Sequence, residues 1–199
     1  MPNTSLSLAT LVGSRICHDL ISPVGAINNG IELIAMGGPI DTPELSLISD
    51  SVSNAAARIK FFRIAFGVAS PEQTLGASTV KPIVAEAYGD GRHRAEWKAD
   101  GDVSRAEVQA ALLALLCIET ALPRGGMITI EHSSDKLTVS GIGERVAVEA
   151  ALWDRLGGDE SVDDLRPDQI QFALLPLALS NLTRAPSITS GDDSICITF

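Results

Sequence analysis

Apolar residues recur along the first third of the chain at spacings of three and four. Leu8, Val12, Ile16, Leu20, Val24, Ile27, Ile31 and Ile34 form one stripe, the period of an amphipathic helix. Gly37, Gly38 and Pro39 end it, and Asp41-Thr42-Pro43 opens a second helix with a capping side chain and a proline at a permitted first-turn position. Leu45, Ile48, Val52, Ala55, Ile59, Phe62 and Phe66 carry a second stripe as far as Gly67. Residues 5–67 are therefore predicted to be a helical hairpin. Pro23 and the turn-prone Asn28-Asn29-Gly30 fall inside the first helix, but the stripe stays in phase through both, so one helix with a bend near Pro23 is expected. Two helices cannot bury two full stripes against each other and still shield their sides. A second copy of the hairpin supplies the missing cover most simply, as a dimeric four-helix bundle. The alternative is that the rest of the chain covers it.

After Ser70-Pro71 the pattern changes to short elements. Residues 80–88 read as helix or strand, and His93, Ala95 and Trp97 alternate as in a strand. Ser104-Arg105-Ala106-Glu107 is a capping box, and the apolar run behind it predicts a helix to Leu122. Arg124-Gly125-Gly126 turns into a strand from Met127 to His132, a turn at Ser133-Ser134-Asp135 follows, and Lys136 to Ser140 returns. Helices are expected near 144–156 and 167–182. A last hairpin joins Ser187–Thr189 to Ser194–Phe199. Helices mixed with antiparallel hairpins make this part an α+β sandwich. Phe61 lies opposite the second helix's stripe, so it is expected to pack on this C-terminal part or a nearby loop. Trp97 and Trp153 are expected in core or interdomain packing.

Composition narrows the classes. With 199 residues, 45% hydrophobic and 20% charged, the chain is globular, and no apolar run approaches the roughly 20 residues of a membrane span. The N-terminus lacks the basic start of a signal peptide, so a cytoplasmic location is expected. The net charge of −10 argues against nucleic acid and anionic membrane surfaces as partners. Residues 1–70 carry net −1 and residues 71–199 net −9, a first sign of two units. The three cysteines show no disulfide or zinc spacing. Cys17 is expected as a half-buried flank residue.

The residue with chemistry is His18. At about 100° per residue it lies about 170° from the centre of the apolar stripe and so faces solvent. Ser14, Arg15, Ser22, Gly25, Asn29 and Glu32 share its face, with Leu11 and Ile21 on or beside it. The carboxylate of Asp19 can accept the Nδ1 proton and leave Nε2 outward as a nucleophile. Ser22 sits one turn on, within reach of whatever His18 bears. A zinc or redox site on Cys17-His18-Asp19 is excluded by geometry, since consecutive helical residues diverge too far to close on one ion.

His18-Asp19-Leu20-Ile21-Ser22-Pro23 resembles the phosphoacceptor box of two-component histidine kinases. The longer run His18 to Leu33, with Phe61-Phe62-Arg63-Ile64-Ala65-Phe66-Gly67, resembles the ChpT-type histidine phosphotransferases of alphaproteobacterial phosphorelays. The resemblance implies a homodimer whose four-helix bundle displays one histidine per protomer. It also implies residues 1–70 as a dimerisation and phosphotransfer hairpin, and residues 71–199 as a degenerate version of the kinase (Bergerat-type) ATP-binding domain. The residues agree with degeneracy: Leu112 to Leu122 contains no Asn to hold Mg²⁺, and Ser140-Gly141-Ile142-Gly143 keeps glycines but lacks the aspartate that binds adenine. A lone Gly-x-Gly is usually a turn.

Without ATP, His18 is expected to take its phosphoryl group from an aspartyl phosphate on a receiver domain and pass it to a second receiver's aspartate. A hybrid histidine kinase's receiver and response regulators are the implied partners. No cofactor is expected on this chain, Mg²⁺ coming from the receiver. Helical phase makes Leu11, Arg15, Ile21 and Asn29 the expected partner contacts, with His18, Asp19 and Ser22 as the reacting group. Two other readings stay open: an inert dimerisation module, and a residual ATP-dependent kinase.

Overall fold

The computed structural model describes residues 4–36, 42–70, 72–89, 91–133, 136–158, 162 and 164–199. The predicted hairpin is present as α1 (Thr4–Ala35) and α2 (Thr42–Ala65). The expected helix end at Gly37-Gly38-Pro39, the cap at Asp41, and the turn residues Pro71, Ser134 and Asp135 lie outside the described residues. The turn signal at Asn28-Asn29-Gly30 is overridden because both asparagines keep their side chains in water while Gly30 is buried against α2. A Cβ at residue 30 would stand 2.5 Å from Cγ1 of Ile48. Glycine at this position is what lets the two helices approach.

Among the described residues the remaining elements are β1 (Thr74–Gly76), α3 (Ala77–Tyr88), β2 (His93–Trp97), β3 (Asp102–Ser104), α4 (Arg105–Ala121), β4 (Gly126–Ser133), β5 (Lys136–Ile142), α5 (Ala150–Trp153), α6 (Gln171–Asn181), β6 (Ser187–Ser190) and β7 (Ser194–Thr198). The architecture is α+β. Five strands run in the order β2-β4-β5-β7-β6, and β1 pairs with β3 in a small separate sheet. Every pair of the large sheet is antiparallel except β2 with β4, which run parallel on either side of the α4 crossover. Residues 80–88 are helical, as part of α3.

The core lies where α4 crosses this sheet. Val108 and Ala110 through Ile118 are all buried, as befits a helix apolar on every side. Its start carries the predicted capping box: the Glu107 amide donates to Ser104 Oγ at 3.2 Å, and the Ser104 amide donates to Glu107 Oε2 at 3.3 Å. Beneath α4 the paired rows Ile128, Gly141, Ile195 and Ile130, Val139, Ile197 face inward. Gly141 is the gap that seats the helix, since a Cβ there would come within 2.4 Å of Ile118 Cγ2 and 3.0 Å of Leu122 Cδ1. Gly125, at φ +88°, adopts the left-handed turn before β4, where a Cβ would meet the Arg92 carbonyl oxygen at 2.1 Å.

Three expectations need correction. The helix foreseen over 144–156 is confined to α5 and a following 3-10 turn, Asp154–Gly157. Residues before it cannot join because the Val146 amide donates to Asp192 O and the Ala147 amide to Ala121 O, both at 2.9 Å. The 167–182 helix is split into a 3-10 turn, Pro167–Gln169, and α6. Strands β1 and β3 were not foreseen, being three residues each and too short for a period to show. Phe61 packs as expected on the C-terminal part: it is 1% exposed and meets Tyr88 of α3 edge-on at 5.5 Å. Trp97 and Trp153 are buried, as expected.

Replacing Gly141 by alanine is expected to lower stability by about 1–3 kcal/mol through overpacking beneath α4. A drop in the urea midpoint at unchanged slope checks this.

Candidate functional site

Helix α1 carries His18 on a surface that looks away from α2. The His18 side chain is 78% exposed and that of Asp19 only 12%. The carboxylate uses its oxygens in opposite directions: Oδ1 lies 3.1 Å from His18 Nδ1, and Oδ2 accepts from Arg15 Nε at 3.1 Å. Arg58, from α2, brings Nη1 to 3.9 Å of Oδ2. Arg15 reaches further, donating from Nη1 to the carbonyl of Asp168 at 3.0 Å. That contact ties α1 to the Pro167–Gln169 turn.

His18 opens onto a cleft of about 760 Å³ between α1 and the C-terminal part, also lined by Arg92, His93, Glu119, Trp153 and Arg166. His93 is buried, with Nε2 at 2.7 Å from the Leu122 carbonyl and Nδ1 at 3.6 Å from Glu119 Oε1. Glu119 Oε2 accepts from the Tyr88 hydroxyl at 2.8 Å. Burial, followed by the neighbouring Glu119 charge, pushes the Tyr88 phenol well above its ordinary range. The Arg166 guanidinium beside Asp168 lowers that carboxyl, so its stabilising contribution is present above its unfolded value and fades as pH falls. Burial raises the Cys117 thiol. Among the described residues, no three His, Cys, Asp or Glu side chains converge as metal ligands. None of the described helices is long and apolar enough to cross a membrane.

Of the sites named from helical phase, His18, Ile21, Ser22 and Asn29 are exposed and share one side of α1. Two differ from their expected positions. Arg15 is 11% exposed and engaged with Asp19 and Asp168 rather than standing free. Leu11 is half-buried against the core, because the C-terminal part approaches α1 on that side. Cys17 is exposed rather than half-buried.

Sequence reasoning missed Arg58, His93 and Glu119. For Arg58 a signal was available: folding an antiparallel hairpin about its connection sets residue 58 opposite residue 19, just as it sets Ile48 opposite Gly30. For His93 and Glu119 there was none, since only the β2–α4–β4 crossover brings them to the cleft.

An exposed imidazole on a helical hairpin, packed beside an α+β sheet unit, fits a phosphotransfer class of protein. Residues 77–194 match the family model of the histidine phosphotransferase C-terminal domain. The chain belongs to the histidine phosphotransferase family. It is 40% identical over 129 residues to the protein phosphotransferase ChpT of Brucella abortus (strain 2308), a match over 64% of this chain and 61% of that curated relative. This chain thus spans less than two thirds of that relative's length. The solved structure of a bacterial phosphotransferase superposes with a TM-score of 0.83 at 28% identity, covering 100% of this chain and 98% of that one.

The chain has a single tyrosine, which makes the burial of Tyr88 directly readable. A folded-state value raised above the unfolded one means stability that is full below about pH 10 and declines as pH climbs beyond it. Tyrosinate absorbance at 295 nm is expected to stay flat past the ordinary tyrosine range while the protein is folded and to rise only with alkaline unfolding.

Proposed function

We propose that this chain is a phosphorelay histidine phosphotransferase that shuttles a phosphoryl group between receiver-domain aspartates through Nε2 of His18. The observation that carries the reading is the exposed His18 ring with Nδ1 engaged by Asp19, which leaves the Nε2 lone pair facing outward. In the forward step that lone pair attacks the phosphorus of an aspartyl phosphate in line. The N–P bond forms, the acyl P–O bond breaks, and the aspartate leaves as a carboxylate. The second transfer runs the same exchange toward another receiver's aspartate.

Asp19 holds the imidazole in its reactive tautomer, and Ser22 stands one turn away beside the phosphoryl group. Ile21 and Asn29 offer the receiver an apolar and an amide contact, with Leu11 at their edge. Mg²⁺ comes with the receiver rather than with this chain. The upstream partner is the receiver domain of a hybrid histidine kinase, and the downstream partners are response regulators. The reading is of a cytoplasmic protein divided near residue 70 into the hairpin and a degenerate ATPase-like domain. Glycine at 141 supports degeneracy, since it is spent on seating α4 rather than on framing a nucleotide.

The working unit is a homodimer. On α1, Val24 and Ile31 stay about half exposed, and on α2 so do Leu45, Val52 and Ile59. In each helix these residues recur every seven positions, the seam spacing of a helical bundle. A second hairpin laid on this seam completes four helices, with His18 of each protomer facing outward.

Incubation with a receiver charged by acetyl phosphate is expected to place an acid-labile label on the chain, and His18→Ala is expected to abolish it. Absence of label on the wild type, or equal labelling of the variant, would leave an inert dimerisation module instead. In sedimentation the wild type is expected at twice the chain mass. Val52→Asp with Ile59→Asp should shift it to one chain mass, and an unshifted profile would rule out this seam.

A further inference from the structure

The side chains that hold Asp19 come partly from outside α1. Its Oδ1 faces His18 Nδ1, and its Oδ2 faces Arg15 Nε at 3.1 Å and Arg58 Nη1 at 3.9 Å. Arg15 is itself anchored at its far end, with Nη1 on the Asp168 carbonyl at 3.0 Å. That carbonyl also accepts from Gln171 Nε2 at 2.9 Å, and Gln171 is 1% exposed with the same nitrogen 3.4 Å from Leu116 O. The anchor is thus part of the buried frame of the C-terminal part.

We propose that Arg15 and Arg58 are positioning residues for the His18 imidazole, acting through Asp19, and that the Asp168 carbonyl makes the C-terminal part a participant in this alignment. The inference rests on the phosphotransfer reading of His18 and adds the device that aims it. A carboxylate with one oxygen pinned cannot turn its other oxygen away from the ring. The nitrogen that donates to it then keeps the proton, and Nε2 keeps the lone pair. The two arginines act differently. Arg15 needs a planar fork with donors pointing two ways, one to a carboxylate and one to a carbonyl, which lysine lacks. Arg58 is too far for a hydrogen bond and contributes a positive charge, which lysine can replace.

The test reads the tautomer directly on the full chain before any phosphoryl transfer. Long-range imidazole ¹⁵N spectra are recorded at about pH 9, above the ordinary imidazole range, with His18 assigned by its loss in His18→Ala. The wild type is expected to carry its proton on Nδ1. Arg15→Met should shift the tautomer ratio at least about threefold toward Nε2–H, Arg58→Met about twofold in the same direction, and Arg58→Lys should restore the wild-type ratio. A wild-type proton on Nε2, or an unchanged ratio in Arg15→Met, overturns the proposal. Equal ratios in Arg58→Met and Arg58→Lys overturn the part assigned to Arg58. The buried His93 signals report folding, and if Arg15→Met disturbs them, Arg15→Lys takes its place with the same expected direction.

A second readout separates positioning from partner contact. In single-turnover uptake from a charged receiver, Arg15→Met is expected to lower the maximal rate about tenfold and leave the half-saturating receiver concentration within about twofold. A raised half-saturation at an unchanged maximal rate overturns positioning. Absence of uptake by the wild type, with the tautomer shifts intact, would fault the phosphotransfer reading alone.

Discussion

The Asp19 carboxylate is held by side chains of α1 and α2, and through Arg15 it is tied to the C-terminal part. It is nearly buried although it follows an exposed histidine, and its two oxygens face different groups. One oxygen addresses the imidazole and the other the arginines of α1 and α2. A carboxylate so placed needs its lone pairs satisfied, because an ionised group withdrawn from water without partners is costly. The arginines meet that need, and Arg15 passes the constraint on to the Asp168 carbonyl. Orientation of the His18 ring is therefore linked to the docking of the C-terminal part on α1.

That docking also explains how the hairpin divides its surface. Leu8, Leu11, Val12 and Ile16 of α1 are half-buried against the core, and Phe61, Phe62, Ile64 and Ala65 of α2 are part of it. Val24, Ile31, Leu45, Val52 and Ile59 remain about half exposed. Of the two sources of cover that the stripes require, the chain's own C-terminal part supplies only one. The uncovered seam faces away from His18, so the exposed apolar row and the polar face lie on different sides of the same helix.

The sheet and α4 supply rigidity rather than reactive groups. Gly141 lets α4 lie directly on the inward rows of β4, β5 and β7, and the packed helix carries Leu116 and Glu119 at the margin of the cleft. Leu116 offers its carbonyl to Gln171, which in turn steadies the Asp168 carbonyl. Close packing of this kind holds small displacements in check and transmits position from the core to the surface.

Much of this was legible in the residues alone. Period three-four stripes specified α1 and α2, and helical phase put His18 outside because a helix face is a local property of spacing. The Ser104-Glu107 cap and the alternating strands were legible for the same reason. Arg15 and Leu11 have neighbours that phase did not foretell, because phase says which way a side chain points and not what will be packed there. His93 and Glu119 are distant in the chain from His18, Arg58 comes opposite Asp19 only when the hairpin is folded back on itself, and the short β1–β3 pair and the unwound 144–149 segment depend on partners elsewhere. The sequence by itself determined the hairpin, the family resemblance and the histidine. Beyond the local Arg15–Asp19 pair, only the tertiary structure decided what holds that histidine's neighbour in place, because an ion pair between helices and a bond to a distant carbonyl exist only once the long-range contacts have formed.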